Sequence, residues 1–113
     1  MASDALSMQS TKSAKTGQRR TRSSTRIGDI GEYYAVTWLW DNGYEVFTNA
    51  GNNGPVDIVA LSPEGEVTLI DVKSTAGYKP SARTPVQKKL KVKYLIFNPD
   101  TRKLRFMEHR HDI

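Results

Sequence analysis

Residues Gly54–Thr75 read GPVDIVALSPEGEVTLIDVKST, and this stretch decides the fold. It holds two apolar runs, Val56 to Ser62 and Val67 to Ser74, divided by Pro63-Glu64-Gly65. Apolar, β-branched runs either side of such a triplet signal a hairpin, with Pro at the first turn position and Gly at the left-handed one. A three-residue loop sets Ser62 against Glu66, and counting back sets Asp57 directly opposite Asp71. Period-two alternation then gathers Asp57, Val67, Leu69, Asp71 and Lys73 on one face. Three charges therefore interrupt strands that otherwise read as buried.

Opposed Cβ atoms in a hairpin lie about 4.5–5.5 Å apart. Two carboxylates that close in a partly apolar setting repel, and one holds a proton unless something positive intervenes. Two readings are open. The first is a surface hairpin whose polar face carries D, D and K. The second is a divalent metal site: all-oxygen ligands suit Mg²⁺ or Mn²⁺, and the chain has no cysteine for a soft-ligand site. In the second reading Lys73 orients an attacking water or stabilises charge on a phosphate. The expense of burying unpartnered charge favours the metal.

Upstream, Ile27, Ile30, Tyr34, Ala35, Trp38 and Leu39 recur at spacings of three and four, which predicts a helix from Arg26 to Asn42. Ser24 or Thr25 is the expected cap and Asn42-Gly43 the stop. Tyr33, Val36, Thr37 and Trp40 form a second stripe, so the helix is sandwiched within the monomer or buried against a partner, and a homodimer is expected. Glu32 flanks the main stripe, either as an exposed helix acid or as a further metal oxygen. Further strands are expected at Tyr44 to Thr48, Lys91 to Asn98 and Leu104 to Glu108, with Lys79 to Leu90 as a short second helix. This order reads as α+β or α/β: an N-terminal helix, a mixed sheet of about five strands and a second short helix.

The 113 residues suffice for one domain, with charge unevenly placed. Residues 1–26 hold six Lys/Arg against Asp4 alone; residues 27–72 hold eight acids and no Lys or Arg; residues 73–113 hold eleven Lys/Arg and three acids. A compact fold can set the acidic part as a cation-attracting pocket beside a basic rim for a polyanion; random surface charge is the alternative. Residues 1–25 are too polar to bury a core and read as a disordered basic arm, for phosphate contact or for solubility, ahead of a domain over 26–113. No apolar run nears the roughly 20 residues that span a bilayer, and no signal peptide is evident, so a soluble cytoplasmic protein is expected.

The succession I-G-D-I-G-E-Y with Glu32, G-Y-E-V, then G-P-V-D-I-V-A with Asp57 and D-V-K with Asp71 and Lys73 resembles the PD-(D/E)XK nuclease superfamily over residues 26–98. It is most similar to archaeal-type Holliday junction resolvases and to small homing endonucleases of that superfamily. The resemblance implies a restriction-endonuclease-like core, Mg²⁺ bound or supported by Glu32, Asp57 and Asp71, and Lys73 as the catalytic lysine. The family more often has Glu where Asp71 stands, and Val56 replaces its nominal proline, with Pro55 one place earlier. Ser74 and Gln87 match positions where members place a small polar residue and a glutamine, which implies that both contact DNA, with a metal-shell role as the alternative for Ser74.

Arg83, Lys88, Lys89, Lys91 and Lys93 are read as a phosphate-contacting rim, or else a solvated basic turn. Tyr78 and Lys79 follow the catalytic strand in a Gly-containing loop, to touch nucleic acid or to be ordinary loop residues. His109 and His111 have the i, i+2 spacing of a metal pair, but they are read as solvent-exposed at a frayed terminus. The expected activity is Mg²⁺-dependent DNA cleavage with selectivity for branched DNA; a site-specific endonuclease and a non-catalytic DNA-binding module are the alternatives.

Overall fold

Ser23 starts the first helix. In the computed structural model, which describes residues 23–51 and 53–109, α1 runs Ser24–Asp41. Ser23 is extended (φ −70°, ψ 158°), and the Arg26 N–H donates to its Oγ at 3.1 Å. The cap thus lies one residue before the expected Ser24 or Thr25, both of which are already helical. At the other end the Asn42 N–H returns to Trp38 and Leu39 carbonyls, and Gly43 takes φ +88°, which a side chain rarely tolerates. Of the expected arm, residues 1–22 lie outside the described residues, and Ser23 to Thr25 belong to the helix start. Among the described residues no helix is long and apolar enough to cross a membrane.

The rest is β1 (Glu45–Thr48), β2 (Ile58–Leu61), β3 (Val67–Ser74), α2 (Pro85–Leu90), β4 (Lys93–Phe97) and β5 (Leu104–Phe106). The five strands form one mixed sheet, as expected, and they stand in it in sequence order. Pairs β1/β2, β2/β3 and β4/β5 are antiparallel, while β3/β4 is parallel and so needs the crossover that carries α2. The second helix is shorter than the 79–90 window. Residues preceding a proline are driven out of the helical region, so the helix begins at Pro85, with Thr84 extended as its cap. Lys91 ends it in the left-handed conformation (φ 59°) instead of opening β4.

The β2–β3 turn is the three-residue loop the sequence calls for. The Ser62 N–H donates to Glu66 O at 2.8 Å, the Gly65 N–H returns to Ser62 O at 2.9 Å, and Gly65 has φ +94°. Ile58 pairs with Ile70 and Ala60 with Thr68. Alternation along these strands sends Ile58, Ala60 and Ile70 to one face, where they pack with Leu95 against Ala35 and Leu39 of α1. Only this face is covered by a long helix; Phe47 and Val67 on the other face are exposed, so the strands are less buried than their composition implies.

Helix and sheet come close at Gly31, one turn before Ala35. A Cβ there would run into the Ser74 side chain and come within 3.1 Å of Phe97 Cδ2. Gly31→Val is therefore expected to cost about 1–3 kcal/mol through overpacking, read as a lower urea midpoint at unchanged m-value.

Candidate active site

Beyond Ile58 the hairpin departs from a simple ladder. The Asp57 N–H donates to Ile70 O at 2.8 Å, the residue Ile58 already pairs with, so both residues stand against Ile70. This doubling resembles a β-bulge, a device that re-aims a side chain. It corrects the expectation that Asp57 is the ladder partner of Asp71. The Asp57 carboxylate takes the place of a backbone acceptor: the Val72 N–H donates to its Oδ2 at 2.8 Å. The two carboxyl groups nonetheless meet within hydrogen-bonding reach.

Asn49 holds the segment that delivers Asp57. Its N–H donates to Asp57 O at 2.9 Å, and its Nδ2 donates to Asn53 O and Val56 O at 2.7 and 2.9 Å. Its Oδ1 accepts from the Gly51 N–H at 2.9 Å. Sequence reasoning passed over this residue. The available signal was an Asn ending a strand before a Gly- and Asn-rich loop, where its side chain serves as backbone.

Asp71 is buried, and its Oδ2 accepts from Gln87 Nε2 at 2.7 Å and lies 3.4 Å from Lys73 Nζ. Lys73 Nζ also stands 5.3 Å from the centre of the buried Tyr94 ring, a cation–π contact that steadies the ammonium. Gln87 is buried as well and spends every polar atom. Its N–H and Oε1 form a capping box with Thr84, and its Nε2 donates additionally to Pro55 O at 3.0 Å. One side chain thereby ties α2, Asp71 and the segment ahead of Asp57 together.

Burial, above all, pushes the Asp57 carboxyl up to about 7; the hydrogen bond with Asp71 and the charges of Asp71 and Glu32 add to this, and the Val72 N–H opposes it. Glu32, half-buried on α1, is raised from its ordinary value by burial and then by the charges of Asp29 and Asp71. Since Asp57 in the folded protein holds a proton that the unfolded chain has lost, stability from this group is complete below about pH 4 and falls as pH rises to about 7. Equilibrium denaturation in EDTA is expected to show Asp57→Asn gaining stability relative to wild type across that window, because the neutral amide replaces the protonated acid. A difference that does not vary with pH would contradict the coupling.

The other predicted residues divide. Lys88 and Lys89 are exposed in the last turn of α2, on the element that supplies Gln87. Ser74 is brought elsewhere: it lies on the α1-covered face, with its Oγ donating to Ile27 O at 3.4 Å, because alternation turns it away from Lys73. Arg83 is a correction too. It is buried, and its Nη1 donates to Val92 O at 3.0 Å, so it fastens the crossover instead of lining an exposed rim. His109 is not a frayed exposed residue: its Nε2 accepts from the Tyr94 N–H at 3.0 Å, and its ring stands edge-on to Tyr94. His111 lies outside the described residues. Among the described residues no three His, Cys, Asp or Glu side chains converge as a metal cluster, while Glu32 stands close enough to the two aspartates for its charge to raise the Asp57 carboxyl.

No family model matches the chain. It is similar to a UPF0102 protein of Bifidobacterium longum subsp. infantis and to another from a second Bifidobacterium longum strain, each 34% identical over a 74-residue alignment, with coverage of 60% of this chain and 60% of the relative. The chain thus spans about 60% of the length of these curated relatives. Among solved structures it is similar to the bacterial homing endonuclease I-Ssp6803I, with a TM-score of 0.60, 16% identity, and coverage of 76% of this chain and 69% of that one. At that identity the likeness is one of fold, and it agrees with the α+β arrangement of helix, five-stranded mixed sheet and short second helix expected from the sequence.

Proposed function

We propose that the protein is a divalent-metal-dependent DNA endonuclease of the PD-(D/E)XK type, acting on branched DNA such as a four-way junction. The observation that carries this reading is the meeting of the Asp57 and Asp71 carboxyls with the Lys73 ammonium 3.4 Å from Asp71. The two acids meet where burial, and then the contact with Asp71, lifts Asp57 to about 7, and their all-oxygen donor set fits Mg²⁺, with Mn²⁺ as a substitute. Asp57 and Asp71 would hold the ion, which keeps most of its remaining positions for water and phosphate. When bound, the ion supplies Lewis-acid polarisation of the phosphodiester and neutralises charge that develops on it.

The chain's own groups do the rest. Gln87 fixes one Asp71 oxygen, and the Val72 N–H fixes one Asp57 oxygen, so neither carboxylate is free to swing. Lys73, bracketed by Asp71 and the Tyr94 ring, presents its ammonium to the phosphate or to the water that attacks it in line. Lys88 and Lys89 give nonspecific phosphate contacts. The outer stripe of α1 supports a homodimer: Tyr33 and Trp40 are 75% and 70% exposed, too much aromatic surface on one helix for an ordinary solvated face. Light scattering after size exclusion should then return twice the chain mass, with Trp40→Ala shifting it toward the monomer.

The substrate is tested by incubating the protein in Mg²⁺ with labelled four-way junction, linear duplex and single strand. Preferential junction cutting supports the proposal, and no cutting of any substrate overturns it. The fold likeness to a homing endonuclease favours a second reading, site-specific cutting, which a linear duplex cleaved at one sequence as readily as the junction would establish.

A further inference from the structure

The geometry points to a subsite for unpaired single-stranded DNA, lying beside Lys73 and walled by the loop after β3 and the β4–β5 hairpin. It rests on the cleavage reading and extends it to the form of the substrate. Lys73 pairs with Ile96, and Ile96 with Arg105, so the three stand in a row across adjacent strands on the site's face of the sheet. Two inter-strand steps separate Lys73 from Arg105, about 10 Å in all. A cleft of about 570 Å³ opens over the Ile96–Arg105 end of this row, lined by Ile96 and Met107 together with Tyr78, Lys79, Lys103 and Arg105. A second hollow of about 680 Å³ adjoins it through Lys79, Arg105 and Met107 and extends to Tyr94, the ring under Lys73.

Three features define what this trough takes. Its first part contains three cations and no acid, and among the described residues no ion pair engages Lys79, Lys103 or Arg105. Such charge calls for a phosphate chain. Tyr78 is 65% exposed on the rim, although an aromatic ring left in water on a loop gives up burial that any packed position would supply. A ring above an apolar floor, between cations, is the arrangement that stacks a base while its phosphates are neutralised. Size then separates single strand from duplex: the cleft falls in the range of sites that enclose one small ligand, room for a nucleotide or two, whereas a duplex presents grooves that would need a protruding element to enter. The trough starts at Ile96, the strand neighbour of Lys73, and leads away from it, so it would receive the unpaired strand that runs from a branch point next to the cut.

The test is anisotropy of a short fluorescein-labelled oligothymidylate with the full chain in EDTA, so that nothing is cut. Wild type should bind it, Tyr78→Ala should weaken it about tenfold or more, and Tyr78→Phe should leave it within about twofold. Lys103→Ala and Arg105→Ala should each lower the salt slope by about 1, while affinity for a continuous duplex changes little with Tyr78→Ala. Tyr78 is exposed enough that its variants keep the wild-type melting profile, which is checked alongside. Absence of wild-type binding, or a Tyr78→Ala loss that is the same for duplex and single strand, overturns the subsite. A Tyr78-dependent strand affinity in a protein that cuts nothing in Mg²⁺ sinks the cleavage reading and leaves the subsite standing; cutting with no effect of Tyr78→Ala on strand affinity does the reverse.

Discussion

Changing Lys73 to alanine is expected to lower Mg²⁺-dependent DNA cleavage by about two to three orders of magnitude, the usual cost of removing one preorganised charge from a transition state. The side chain is only partly buried, so the loss falls on chemistry and leaves the fold in place. Asp71 would lose one cationic neighbour but keep its Gln87 bond, and the Tyr94 ring would lose a cation above it. Lys73→Arg is a sharper probe. It retains the charge but replaces a compact ammonium with a planar fork that does not fit between Asp71 and Tyr94 in the same way. Single-turnover rates should therefore fall in both variants while melting temperature barely moves. A rate unchanged in Lys73→Ala would remove this lysine from the mechanism.

Gln87→Leu is expected to reduce cleavage about 10- to 100-fold, as loss of a group that orients a metal-ligating carboxylate does. It should also destabilise the protein by about 1–3 kcal/mol, since Pro55 O and the Thr84 N–H lose their partner and Asp71 is left with a buried, under-bonded oxygen. Gln87→Glu separates the two effects. It keeps the acceptor for the Thr84 N–H but turns an oxygen toward Asp71 and Pro55 O, setting like charges together at the site. Raising the Mg²⁺ concentration should recover part of the rate lost in Gln87→Leu, because the defect is in holding the carboxylate that holds the ion. No dependence on Mg²⁺ would assign Gln87 to stability alone.

Much of this was legible in the chain because it depends on local rules. Pro63-Glu64-Gly65 names its own turn, alternation through Val67 to Ser74 sorts Lys73 from Ser74, and the period of α1 marks Ala35 and Leu39 for the core. The family's motif places Ser74 on the DNA side, against the alternation that turns it toward Ile27. What sequence could not supply are contacts between distant elements. The bulge-like step at Asp57 depends on Asn49 bracing the loop from β1, eight residues upstream. Arg83 reads as a surface cation until the crossover folds it onto Val92 O, and His109 reads as terminal until the chain end runs back along β4 to Tyr94. In each case a polar side chain stands in for a backbone partner, and no periodicity announces that.

The central claim is that Asp57, Asp71 and Lys73 form one metal-dependent cleavage centre. Its most direct test is single-turnover cleavage of a labelled four-way junction by wild type and Asp71→Ala side by side, in Mg²⁺ and in EDTA. Wild type should cut in Mg²⁺ only, and Asp71→Ala should not cut in either. Cutting by wild type in EDTA, or equal cutting by Asp71→Ala in Mg²⁺, would contradict it.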